Sequence, residues 1–151
     1  MKINIVAVGK IKEKYYTDAI AEYKKRLGKF CEFNIIEVPE KSMETNLTKK
    51  TEQESELLLA ACRGTIILLD RLGAMVSSQK LSDIIQNISQ TSSTISFVIG
   101  GSNGVSPALK AAANYCISFG QITYPHQLFR VVLTEQIYRA FTISAGLPYH
   151  K

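Results

Sequence analysis

Ile95 to Ile99 is an apolar run, interrupted by Ser96 alone, that stops dead at a glycine pair, Gly100-Gly101, with Gly104 and Ser106-Pro107 close behind. A strand that is apolar at nearly every position is one covered on both faces. The glycines let the backbone turn tightly and approach a ligand without side-chain clash. Ser-Pro then opens a helix. The pattern repeats: Tyr115 to Phe119, the loop Gly120 to Pro125, and a helix from His126. Successive strand-loop-helix units place a ligand at the carboxyl edge of an open parallel α/β sheet. The stretch from Thr94 to Lys151 is therefore where function is expected, with the preceding residues as its support.

Those residues continue the alternation. Ile3 to Val8 predicts a buried strand ended by Gly9. Tyr15, Ala19, Ile20, Tyr23 and Leu27 fall at helical spacing over Glu13 to Leu27, with Gly28 as the cap. Lys24, Lys25, Arg26 and Lys29 crowd its last turn, where cations suit the helix dipole; phosphate contact is the alternative. Cys31 to Val38 predicts a second strand, and Glu40 to Lys50 a polar loop. Thr51 and Glu54 match a capping box for a helix to about Arg63, with Leu57, Leu58 and Ala61 facing the core. Thr65 to Leu69 predicts a third strand and Asp70 to Gly73 a turn. Ser77 or Ser78 caps a helix whose Leu81, Ile84, Ile85 and Ile88 share one face. This βα order predicts an α/β protein with a mainly parallel sheet, in one domain spanning residues 1–151.

Composition mainly excludes. No apolar run approaches the roughly 18 residues of a membrane helix, and the N-terminus is too short in apolar residues for a signal peptide. A cytoplasmic protein without membrane association is expected. Cys31, Cys62 and Cys116 are scattered in or beside apolar segments, which predicts buried small hydrophobes in a reducing compartment and no metal site. A net charge of +5 permits a polyanionic partner without demanding one.

The loops carry the chemistry. G-G-S-N-G is neither a P-loop nor a dinucleotide fingerprint. The helix after it offers free N–H groups to an anion. Gly120 to Pro125 offers main-chain donors and acceptors for the edge of an adenine. From Leu128 to Ala145 the helix is apolar nearly all round, which predicts a central position or an oligomer interface. Arg130 lies one turn from His126, predicting two polar groups near the second loop that contact substrate or RNA phosphate. Glu135 and Arg139, four residues apart, suit an ion pair.

F-V-I-G-G-S-N-G, T-Y-P-H-Q-L-F-R-V-V-L-T-E-Q-I-Y-R-A-F and the terminal P-Y-H-K resemble the RlmH family of SPOUT-class methyltransferases, and the likeness extends to I-V-A-V-G-K-I-K and I-I-L-L-D near the start. The resemblance implies a SPOUT-type open parallel sheet flanked by helices, closed by a C-terminal trefoil knot. It implies a homodimer that uses S-adenosyl-L-methionine (SAM) and no metal to methylate N3 of a pseudouridine in 23S ribosomal RNA of the large subunit or ribosome; a transfer-RNA methyltransferase is the alternative. It further implies a SAM site of Leu69, Gly101, Gly120, Gln121, Ile122, Thr123, Tyr124 and Pro125. Candidates for handling the N3 proton or stabilising the anion are His126, Arg130, Arg139, Tyr149 and His150. Lys10, Lys12, Lys24, Lys25, Arg26 and Lys29 are candidate RNA contacts.

Overall fold

A computed structural model describes residues 1–151. Five strands, β1 (Lys2–Val8), β2 (Glu32–Val38), β3 (Thr65–Met75), β4 (Thr94–Ile99) and β5 (Tyr115–Ser118), alternate with five helices. The helices are α1 (Lys14–Leu27), α2 (Leu47–Ala61), α3 (Ser78–Ser89), α4 (Pro107–Ala112) and α5 (His126–Ser144). All pairings are parallel, in the order β2-β1-β4-β3-β5. The expected α/β sheet is thus present, with β4 at its centre. No helix is long and apolar enough to cross a membrane.

Successive side chains of a strand point to opposite faces, so each central strand feeds two cores. Ile3, Ile5 and Ala7 of β1 and Ile95, Phe97 and Ile99 of β4 meet α1, α3 and α5. Val6, Val8 and Val98 point the other way, against Leu58 of α2 and Leu109 of α4. This double coverage is why the strands are apolar at nearly every position, with Asn4 and Ser96 as buried polar exceptions.

Three local expectations are corrected. First, α2 starts at Leu47, capped by the Asn46 side chain accepting from the Lys49 N–H at 3.0 Å, inside the stretch expected as loop. Thr51 and Glu54 form no capping box. The inward face carries Glu54, Ser55 and Leu58, so two polar residues occupy positions where periodicity looks for apolar ones. Second, β3 does not end at Leu69. Leu69 and Ala74 both lie opposite Ile117, so residues 70–73 bulge out and the chain returns to pair with β5 again. Gly73 makes that return possible: a Cβ there would sit 2.8 Å from the Cys116 carbonyl. Third, Cys116 is exposed on the edge strand, Cys31 is half-buried and only Cys62 is buried. Burial pushes the Cys31 and Cys62 thiols up to about 11, so neither is a thiolate at neutral pH.

Candidate functional site

The carboxyl ends of β4, β3 and β5 are neighbours in the sheet. With strands about 4.8 Å apart, the loops that leave β4 and β5 stand about 10 Å from each other, with β3 between them. Leu69 of β3 is in register with Ile99 and Ile117, which places it, Gly101 and Gly120 at one edge of the sheet.

The glycine loop closes on itself through Gly104, at φ +82°, whose N–H donates to the Gly101 carbonyl at 3.0 Å. The helix that follows is not an open anion site. Ser106 is buried, its own hydroxyl accepts from the Leu109 N–H at 3.2 Å, and α4 spans only six residues.

The second loop is held at its root. Ser118 Oγ accepts from the Gly120 N–H at 3.0 Å and lies 3.1 Å from the carbonyls of Arg71 and Gly120. Gly120 sits at φ +109°, a conformation that side chains disfavour. Beyond it the N–H groups of Gln121, Ile122, Thr123 and Tyr124 donate to nothing in the protein. Four consecutive unused main-chain donors at a sheet edge are the chemistry that reads a planar, acceptor-rich ring. Tyr124 and Phe119 both pack on Phe129, with ring centroids 5.5 and 5.6 Å away, and together line a cavity of about 300 Å³ against Val76, Leu81 and Gln136.

His126 joins the two loops. Its Nε2 lies 2.8 Å from the Gly100 carbonyl and, facing an acceptor, carries the proton. Burial holds its pKa below the usual histidine value, against the hydrogen bond to Gly100, which raises it; the Arg130 charge lowers it further. A depressed pKa contributes stability that is full above the unfolded value of about 6.5 and is lost as pH falls through the folded one. Melting temperature should therefore decline on acidification below about pH 6.5. His126→Asn should flatten that part of the profile, read by thermal denaturation across pH 7 to 5.

Arg130 is 0% exposed, so the expected contact with substrate or RNA phosphate is not open to it. Nη1 donates to Glu37 at 2.6 Å, and Nη2 donates to the carbonyls of Val8 and Gly9 at 2.8 and 2.7 Å. It fastens the start of α5 to the ends of β1 and β2, across β4 from the loop that α5 has just left.

Arg139 does pair with Glu135, at 2.8 Å, and belongs to a second cluster. Its guanidinium lies 4.8 Å from the centroid of the Tyr149 ring, and Nη1 donates to His150 Nδ1 at 3.2 Å. Tyr149 also packs edge-on against Tyr138 at 4.8 Å. Gly146, at φ +69°, folds the C-terminal residues back onto α5. Burial, helped by Tyr23 nearby, pushes the Tyr149 hydroxyl up to about 12, so it donates rather than accepts protons at neutral pH. At about 1.5 Å per residue, Arg139 lies about 20 Å along α5 from His126. One chain thus presents the loops and the C-terminal cluster at opposite ends of this helix.

Sequence reasoning missed Glu54, which faces Gly101, and Arg71, whose Nη1 approaches Thr123 Oγ1 at 3.5 Å. Neither carries a local signal, since both meet the site through strands and loops distant in the chain.

Comparison with known proteins fits this geometry. The family described as "Predicted SPOUT methyltransferase" matches residues 1–150. Proteins named ribosomal RNA large subunit methyltransferase H from Clostridium botulinum strains Okra and Kyoto are each 48% identical over 159 aligned residues, covering all of both chains. The strain 657 protein is 48% identical over the same span.

Proposed function

The chain belongs to the SPOUT methyltransferase family, and from that premise we propose that it is a large-subunit ribosomal RNA methyltransferase that transfers the SAM methyl group to N3 of a pseudouridine in 23S rRNA. The observation that carries this reading is the full-length 48% identity to the large subunit methyltransferases H. SAM supplies an electrophilic methyl group. Main-chain donors from Gln121 to Tyr124 would hold its adenine, Leu69 would pack on it, and Gly101 would let it approach the backbone. The four unused donors and the bare Gly101 are what make the residues fit.

The trefoil knot is part of the same reading. It is supported by residues 70–73 looping out before Ala74 and Met75 pair with β5, the edge strand, a second time, and by α5 returning to Val8 and Gly9 beyond β4. Threading of this kind is rare in proteins.

A homodimer completes the site. Leu72, Met75 and Ile122 stand 78, 71 and 75% exposed around the loop end of the sheet, an apolar patch that a second subunit would cover. Because the C-terminal cluster lies about 20 Å from the loops of its own chain, Arg139, Tyr149 and His150 would serve the loops of the partner. Arg139 and Tyr149 would donate to the anion left when N3 gives its proton to solvent, before the SAM methyl moves from sulfur to N3 and S-adenosylhomocysteine leaves. Positioning the two reactants supplies much of the rate. Lys10, Lys12, Lys24, Lys25 and Lys29 are exposed and in no ion pair, so they remain the candidates for rRNA phosphate; Arg26 is engaged by Glu22 at 3.1 Å.

Ribosomes lacking the modification, incubated with this protein and methyl-labelled SAM, should acquire label at N3 of one 23S pseudouridine, mapped by nuclease digestion and mass spectrometry. Label in transfer RNA instead would overturn the substrate assignment. Binding of SAM without transfer to either RNA would overturn the enzymatic reading.

A further inference from the structure

Glu54 is the one acidic residue in the buried set, at 3% exposure. No lysine, arginine or histidine pairs with it. Its Oε2 accepts from the Lys41 N–H at 2.9 Å. Its Oε1 has no donor in the protein and lies 2.6 Å from where a Gly101 side chain would begin. The neighbouring Ser55 is different. Its Oγ accepts from the Ser106 N–H at 2.8 Å, at the far end of the same glycine loop, and that bond is complete. Thus α2 holds the far end of the loop through Ser55, while at the Gly101 end the Glu54 Oε1 faces the loop without a partner. Oε1 is not sealed in: the side-chain atom buried without a partner is Arg130 Nε, whereas Oε1 keeps an opening to solvent and can accept a hydrogen bond from outside the protein.

We propose that Glu54 Oε1 accepts a hydrogen bond from the methyl donor as it passes Gly101, making Glu54 a ligand-binding residue of the site. This rests on the reading that SAM lies between Gly101 and the loop Gly120 to Pro125. It also gives a reason for glycine at 101: a side chain there would stand between the carboxylate and the ligand. Two kinds of hydrogen on the donor suit a carboxylate, the ammonium N–H and the ribose O–H, and both form strong charge-assisted bonds.

Glu54→Gln separates this role from a structural one. Glutamine fills the same volume and still accepts from Lys41 through its carbonyl oxygen, but it turns an N–H₂ toward Gly101. Calorimetry on the whole protein should show the dissociation constant for SAM rising at least tenfold, roughly the strength of one charge-assisted bond. The melting temperature without ligand should be unchanged or higher. S-adenosylhomocysteine and 5′-methylthioadenosine identify the hydrogen. Weakening of SAM and S-adenosylhomocysteine alone assigns the ammonium, because 5′-methylthioadenosine lacks it; weakening of all three assigns the ribose. Unchanged affinity for all three, or a lower melting temperature with unchanged affinity, overturns the assignment and leaves the proposed function standing. Failure of the unsubstituted protein to bind any of the three overturns both. Should Glu54→Gln not fold, Glu54→Asp, which withdraws the carboxylate by one methylene, carries the same comparison.

Discussion

Removing Tyr149 to Lys151 should lower methyl transfer to ribosomes by at least about 100-fold, equivalent to about 2.7 kcal/mol of transition-state stabilisation. SAM affinity should stay within about threefold, because the donors of the second loop lie about 20 Å away along α5. The C-terminal residues are not a frayed end. The Leu147 N–H donates to the Thr142 carbonyl at 2.9 Å, and Tyr149 is wedged between Tyr138 and Arg139. A cluster so ordered, carrying three hydrogen-bond donors, suits stabilisation of an anionic base. Binding would be read by calorimetry and transfer by label incorporation. Full transfer by the shortened protein would remove Tyr149 and His150 from the active site. In mixed dimers, the shortened subunit should be complemented by a full-length subunit disabled in its own SAM site, since the cluster of one would serve the loops of the other.

Arg130→Met should cost about 1–3 kcal/mol of stability. Arg130 is fully buried, but the Glu37 side chain is 34% exposed and can be solvated once the guanidinium is gone, so the lost hydrogen bonds to main-chain carbonyls dominate. In a chain of this length that cost corresponds to a fall in melting temperature of about 5 °C. The substitution preserves bulk but withdraws every donor. Glu37 keeps only the Ile11 N–H, at 3.0 Å, and the buried Val8 and half-buried Gly9 carbonyls lose their side-chain donor. Arg130→Lys should recover only part of the loss, since a single ammonium does not reach three acceptors in the geometry of a planar fork. A melting temperature unchanged within about 1 °C, with transfer lost and its salt dependence reduced, would instead support the phosphate contact expected from the sequence.

The Arg130 case marks how far the sequence reaches. Its spacing from His126 was legible and its surroundings were not. Position on a helix face follows from 3.6-residue periodicity, but what that face meets depends on where the sheet delivers Val8, Gly9 and Glu37. Glu54 is similar. Three residues after Thr51 it has the form of a capping-box acid, and only the earlier start of α2 turns it inward toward Gly101. By contrast Ser77 and Ser106 cap α3 and α4 with their own side chains, as local sequence implied.

What the sequence alone determined is local: the alternation of doubly covered strands with helices, the caps of α3 and α4, and the two loops that follow β4 and β5. Steric limits on the backbone and the spacing of apolar residues act within a few positions, so they can be read along the chain. The tertiary structure alone decided the strand order, the second pairing of β3 with β5, the burial of Arg130 and the unmatched oxygen of Glu54. Each joins residues far apart in the chain, and its energy exists only once the sheet has brought them within hydrogen-bonding distance.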